Sequence, residues 1–261
     1  MMMSGQPKIE ERRWLKRFGR REDVAGIRLL CFHHAGGNAA MYRQWPQLMP
    51  AGIEPIAVQL PGRTDRFREP AYDRMEPLLD DLVEVIKPLL DRPFACYGIS
   101  MGARLAWGLA HTLRERAMPQ PRQLFLAANA APSTDIGGGN EWEGLKGGLE
   151  GYLRTMGGTP EEVLAEPELL SALLPTLRAD LYVLGTHEFR PASPLDIPIH
   201  AFAGTEDASA TPERMSGWRT ETSVRFDLDL LPSGHFFDAA SERQVVAAIA
   251  RDLGQVITPH G

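Results

Sequence analysis

The sequence predicts an α/β fold, a mostly parallel sheet flanked by helices and interrupted once by an inserted helical lid. Three observations lead there. Short apolar runs alternate with longer amphipathic stretches, the rhythm of parallel strands joined by helices packed on both sheet faces. A G-x-S-x-G turn, Gly98-Ile99-Ser100-Met101-Gly102, joins a strand-like run to a helical pattern. After Ala131-Pro132 the strand rhythm stops, and it resumes only at Ile197. The expected division is a core of residues 1–132 and 191–261 with a lid at 133–190.

The elements follow in order. Residues 27–32 (IRLLCF) and 53–60 (IEPIAVQL) read as strands, with a short helix at 42–48 between them. A helix at 75–90 has Leu78, Leu79, Leu82, Val83 and Ile86 at three- and four-residue spacing, and Pro88 marks its approach to a turn. Residues 94–97 form a strand, 98–102 a sharp turn, and 103–116 a helix presenting Leu105, Leu109 and Leu113 four apart. A strand at 123–128 closes the first half. The glycine break Gly137-Gly138-Gly139-Asn140 opens the lid. There Leu145, Leu149, Tyr152, Leu153 and Met156 form an apolar stripe, Thr159-Pro160-Glu161-Glu162 offers a helix start, and a second stripe runs over 169–184. Strands return at 197–203 and at 224–230, where Val224, Phe226, Leu228 and Leu230 alternate with Arg225, Asp227 and Asp229, before a closing helix at 242–257.

Composition narrows the function. The net charge of −6 has the wrong sign for a nucleic-acid binder. Basic residues at 12–21 are interleaved with Glu10, Glu11, Glu22 and Asp23 and read as a solvated surface. Cys31 and Cys96 lie in apolar runs and form no C-x-x-C pair, so buried free thiols are expected. With no signal-peptide pattern and no run of about 18 uncharged apolar residues, the expectation is a cytoplasmic protein that engages no membrane.

The elbow glycines leave room where the chain reverses, and the turn lifts the Ser100 hydroxyl above the sheet. A serine needs a positioned base, itself oriented by a carboxylate, in the chain order Ser, acid, His. His235, in the loop after Pro232-Ser233-Gly234, suits the base, whereas His200 sits in a strand and His260 in the tail. Asp207 in Gly204-Thr205-Glu206-Asp207 suits the acid, with Glu206 its nearest rival. The oxyanion of a tetrahedral intermediate needs backbone donors, for which Met101 and Ala35 of His33-His34-Ala35-Gly36-Gly37 are placed. The paired histidines are not read as a metal site, because adjacent side chains at a strand end point apart. No metal or free cofactor is expected.

Taken together, these motifs resemble the type II thioesterases, the stand-alone editing hydrolases of polyketide and nonribosomal peptide biosynthesis, within the α/β-hydrolases. Cys31-Phe32-His33-His34-Ala35-Gly36-Gly37 resembles the family's early oxyanion loop, and Gln59-Leu60-Pro61-Gly62-Arg63 with Arg66 and Glu69-Pro70 its second signature. Leu174-Pro175-Thr176-Leu177-Arg178-Ala179-Asp180 resembles the lid helix. Two positions depart from the pattern: Ile99 stands where the family usually has histidine, and His33 where it usually has proline.

The resemblance implies hydrolysis of acyl thioesters on the phosphopantetheine arm of acyl or peptidyl carrier proteins, with Ser100 as nucleophile, His235 as base and Asp207 orienting it. Tyr152 and Met156 would either wall the acyl pocket or simply pack in the core, and Arg63 reads as a loop ion pair in preference to a substrate contact. A monomer is expected. Other readings from the same residues are a chain-releasing thioesterase or acyltransferase, a lipase-like esterase on free esters, and an inactive carrier-binding protein.

Overall fold

Seven strands form one sheet in the computed structural model, in the order β1-β3-β2-β4-β5-β6-β7. The structure describes residues 12–19, 26–134, 141–159, 161–186 and 192–257. The strands are β1 (Leu15–Lys16), β2 (Ile27–Phe32), β3 (Ile53–Val58), β4 (Phe94–Ile99), β5 (Leu124–Ala127), β6 (Ile199–Gly204) and β7 (Phe226–Leu231). The helices are α1 (Trp45–Leu48), α2 (Met75–Ile86), α3 (Met101–Glu115), α4 (Gly148–Met156), α5 (Glu161–Leu164), α6 (Pro167–Gly185), α7 (Pro212–Ser216) and α8 (Ala239–Ile257).

All neighbouring strands pair in parallel except β1, which runs antiparallel to β3. The chain leaves β2 for β3 on one side and crosses back to β4 on the other. The carboxyl ends of β2 and β4 therefore diverge at the point where the strand order reverses, the usual place for a ligand in an open α/β sheet. These two ends carry residues 33–37 and Ser100.

Burial on both faces explains why the central strands lack polar alternation. On one face Leu30, Phe32, Phe94, Cys96, Leu124 and Leu126 pack with Leu78 and Leu82 of α2 and Leu105, Leu109 and Leu113 of α3. On the other, Leu29, Cys31, Tyr97, Phe125 and Phe202 pack with Trp45 of α1 and Val245, Ile249 and Leu253 of α8. Arg28 and Glu54, the charged residues inside β2 and β3, are partners in register and in charge. Cys31 and Cys96 are buried free thiols.

Several sequence expectations shift. The strand expected over 53–60 ends at Val58, because Gln59 turns its side-chain oxygen to the Ala39 N–H at 3.0 Å ahead of the Pro61-Gly62 turn. The helix expected from Ala103 already begins at Met101. The helix expected over 75–90 stops at Ile86 and continues as a 3-10 turn at Lys87–Leu89, with Pro88 inside it. Of the solvated surface expected at 12–21, residues 20 and 21 lie outside the described residues; Arg12 and Arg13 are exposed, but between them and β2, Trp14 and Leu15 are buried, Leu15 pairs with Val58, and Arg66 stacks over the Trp14 ring at 4.2 Å. Strand β7 starts at Phe226, leaving Val224 exposed, and its final turn inward is made by Leu231 rather than the exposed Leu230.

In the segment expected to form a lid, Leu149 packs with Trp142, Leu177 and Leu181 in a small separate cluster, while Leu145 is exposed. The expected glycine break at 137–140, Pro160 of the expected helix start, and His260 lie outside the described residues.

Candidate active site

Ser100 caps α3 with φ 55° and ψ −119°, a backbone conformation costly for a residue with a side chain. The flanking glycines make that turn possible. A Cβ at Gly98 would lie 2.0 Å from the Gly102 carbonyl oxygen, and one at Gly102 would lie 2.1 Å from that of Phe32. The turn is tied to the next strand by the Ser100 N–H, which donates to Ala127 O at 2.8 Å.

The loops after β6 and β7 bring the other two residues to it. Gly204 holds the loops together, since a Cβ there would meet Ser233 O and Gly234 O at 2.4 Å. His235 Nε2 lies 3.1 Å from Ser100 Oγ, and His235 Nδ1 lies 2.8 Å from Asp207 Oδ2. Burial alone would raise the Asp207 carboxyl. Hydrogen bonds from His235, Ser209 and the Ala210 N–H, with the charge of the imidazolium, outweigh it and bring the pKa down to about 2. An ionised Asp207 accepts only, which puts the proton of neutral His235 on Nδ1 and leaves the Nε2 lone pair for the Ser100 hydroxyl. Glu206, the rival acid, is exposed. His200 pairs its Nδ1 with Asp252 at 2.9 Å instead.

Ala35 and Met101 follow β2 and Ser100. Among the described residues neither backbone N–H is taken by a protein acceptor, whereas the Gly36 N–H donates to Asp180 Oδ2 and the Gly37 N–H to His34 O. A cavity of about 270 Å³ opens beside them, lined by Ser100, His235, Ala35, Tyr152, Met156 and Leu177 among others. Along the apolar stripe of α4, Leu149 belongs to the small core, Tyr152 and Leu153 pack against that core and also line the cavity, and Met156 lines the cavity.

Sequence reasoning missed three contributors. Ser209 donates to Asp207 Oδ1 through both its N–H (2.8 Å) and its Oγ (2.7 Å); only its offset of two from Asp207 hinted at this. Phe236 packs edge-on against both His34 and His235, at centroid distances of 4.8 and 5.0 Å. Asp180 of α6 is the partner of the Arg63 loop ion pair, a contact over 117 residues that no local pattern reveals. Among the described residues no group of three or more His, Cys, Asp or Glu is placed to hold a metal ion.

The fold and this constellation define an α/β-hydrolase with a serine, a histidine and an aspartate hydrogen-bonded in series. Comparison with known proteins places it further: the thioesterase domain model matches residues 27–255, and the chain belongs to that family of hydrolases acting on thioesters. It is 34% identical over 236 residues to the gramicidin S biosynthesis protein GrsT of Aneurinibacillus migulanus, covering 90% of this chain and 92% of that one. The RedJ thioesterase of the prodiginine pathway of Streptomyces coelicolor is 35% identical with a TM-score of 0.82, covering 88% of this chain and 91% of its own. The type II thioesterase BorB of the borrelidin cluster is 32% identical with a TM-score of 0.82, covering 92% and 97%. No helix of the described residues is long and apolar enough to cross a membrane.

Proposed function

We propose that the protein removes acyl groups from the phosphopantetheine arm of acyl or peptidyl carrier proteins by hydrolysis, clearing aberrant or stalled chains in polyketide or nonribosomal peptide assembly. The observation that carries this reading is the series Asp207–His235–Ser100 at the mouth of a lid-walled cavity, in a chain akin to thioesterases of such pathways.

In this mechanism Ser100 Oγ attacks the thioester carbonyl carbon as its proton passes to His235 Nε2. The oxyanion is held by the Ala35 and Met101 N–H groups, Met101 adding the positive end of the α3 dipole. Collapse breaks the C–S bond, and the departing thiolate takes the proton from His235. Water, deprotonated by the same imidazole, then attacks the acyl-serine, and the second collapse releases the acid and restores Ser100. Asp207 stays ionised and stabilises the imidazolium. Tyr152 and Met156 contact the acyl chain, while the half-exposed Met41 and Leu173 offer an apolar rim at the cavity mouth.

With a net charge of −6, the protein gains no long-range attraction to an acidic carrier, so docking rests on local patches and is brief. The enzyme acts as a monomer in the cytoplasm, where carriers are loaded. The test compares hydrolysis of acyl groups on a carrier with that of the same acyl groups on a free pantetheine thioester and a matched oxygen ester. The reading expects the carrier-bound thioester to be cleaved fastest. Preference for the oxygen ester would replace it with a lipase-like esterase, and transfer to an added amine or alcohol with an acyltransferase.

A further inference from the structure

The Ala35 N–H can stabilise an oxyanion only if the peptide unit joining His34 and Ala35 is held with that N–H toward Ser100. Two sets of contacts hold it. The carbonyl of that same peptide unit, His34 O, receives His33 Nδ1 at 2.8 Å and the Gly37 N–H at 3.0 Å. A carbonyl oxygen can only accept, so His33 carries its proton on Nδ1. Burial and the nearby Arg63 charge keep this imidazole neutral, its pKa well below the ordinary histidine value. His33 Nε2 is buried with no hydrogen-bond partner, so the ring's one polar contact is the bond to His34 O.

The next peptide unit is held at both ends as well. Ala35 O receives His34 Nδ1 at 2.9 Å, and the Gly36 N–H donates to Asp180 Oδ2 at 2.7 Å. Asp180, on lid helix α6, is also gripped by Arg63 through two bonds of 2.7 and 2.8 Å, and Arg63 Nη1 donates to Gly37 O at 3.1 Å. Both side chains are almost fully buried, at 6% and 2% exposure. Thr176, one helical turn before Asp180, donates to Gly62 O at 2.6 Å. Helix α6 is thus fixed both to the loop after β2 and to the loop after β3.

We propose that His33 and the Arg63–Asp180 pair are positioning residues that aim the Ala35 N–H, the pair doing so from the lid, so that lid placement and oxyanion stabilisation are coupled. This rests on the hydrolytic reading above. A buried ion pair is weak evidence of stabilisation in itself, because desolvation offsets the attraction. Its contacts with the backbone of the same loop that His33 holds fit a geometric role.

His33 gives the sharpest test. In His33→Phe the ring keeps its shape and loses both the Nδ1 donor and the unpartnered Nε2, so the fold should be retained or gain stability. In His33→Asn the side-chain amide places a donor where Nδ1 stood. Loss of a whole oxyanion donor typically costs 10²- to 10³-fold in kcat, and misaiming one should cost roughly tenfold to a hundredfold. The expected result is that His33→Phe lowers kcat by that amount with KM within about twofold and thermal midpoint undiminished, while His33→Asn recovers most of kcat.

For the lid arm, the charge-free pair Arg63→Met with Asp180→Leu should lower kcat in the same way; if it fails to fold, the two His33 variants decide. A folded His33→Phe with kcat within about threefold of wild type, a loss carried by KM alone, or no difference between the Phe and Asn variants overturns the proposal. Ser100→Ala, run alongside, separates the two levels: full activity there refutes the hydrolytic mechanism itself, whereas abolished activity with unchanged His33 variants refutes only the positioning role.

Discussion

Replacing Asp207 by asparagine tests the electrostatics of the site in two independent ways. The carboxyl has its pKa lowered from 3.8 to about 2 in the folded protein, nearly two units, or about 2 kcal/mol at 1.36 kcal/mol per unit. The sign follows from linkage. Between these values the unfolded chain binds more protons than the native one, so the contribution is fully present above pH 4 and is lost as pH falls through about 2. It is about 2 kcal/mol at pH 5 and roughly half that at pH 3.

The asparagine side chain does not titrate, so the stability gap between wild type and Asp207→Asn, measured by urea unfolding, should narrow by about 1 kcal/mol from pH 5 to pH 3. At neutral pH the same variant should lose about 10³- to 10⁴-fold in kcat, because the amide no longer fixes the imidazole proton on Nδ1. A gap that does not change with pH, or a kcat within tenfold of wild type, would refute the role given to Asp207.

Two further outcomes follow from the packing. Gly102→Ala would drive a methyl group to 2.1 Å from Phe32 O, backbone against backbone; the variant should lose activity and unfold at lower denaturant, by several kcal/mol, and an active variant of unchanged midpoint would contradict the elbow geometry. Met156→Trp fills part of the 270 Å³ cavity, so the ratio of long-chain to short-chain kcat/KM should fall at least tenfold while acetyl thioesters are cleaved at near wild-type rate; an unchanged ratio would remove Met156 from the acyl pocket.

How far the fold was legible in the sequence depended on whether its cause was local. The strands β2 to β6 are buried on both faces and so appear as continuous apolar runs, and α2 and α3 show their buried stripes directly. The elbow was legible because close backbone approach demands glycine at 98 and 102. Strand β1 was not: a two-residue strand has no period to detect, and Trp14 and Leu15 sit among charges. Chain order and loop position pointed to Ser100, His235 and Asp207, and the hydrogen bonds among them discriminate Asp207 from Glu206, which sequence alone left adjacent. The Arg63–Asp180–Gly36 contacts were illegible because they join segments at least 117 residues apart, and the His33 bond to His34 O because it depends on the backbone turn of its own loop.

The measurement that tests the central claim most directly is the location of the acyl-enzyme. Enzyme mixed with a slowly hydrolysed acyl thioester, quenched in acid and digested, is examined by mass spectrometry for an acylated peptide. The account predicts a single acyl group on Ser100 that forms as thiol is released, decays as free acid appears, and is absent in Ser100→Ala. Thioester cleavage with no acyl-serine, or with the acyl group on another residue, would contradict it.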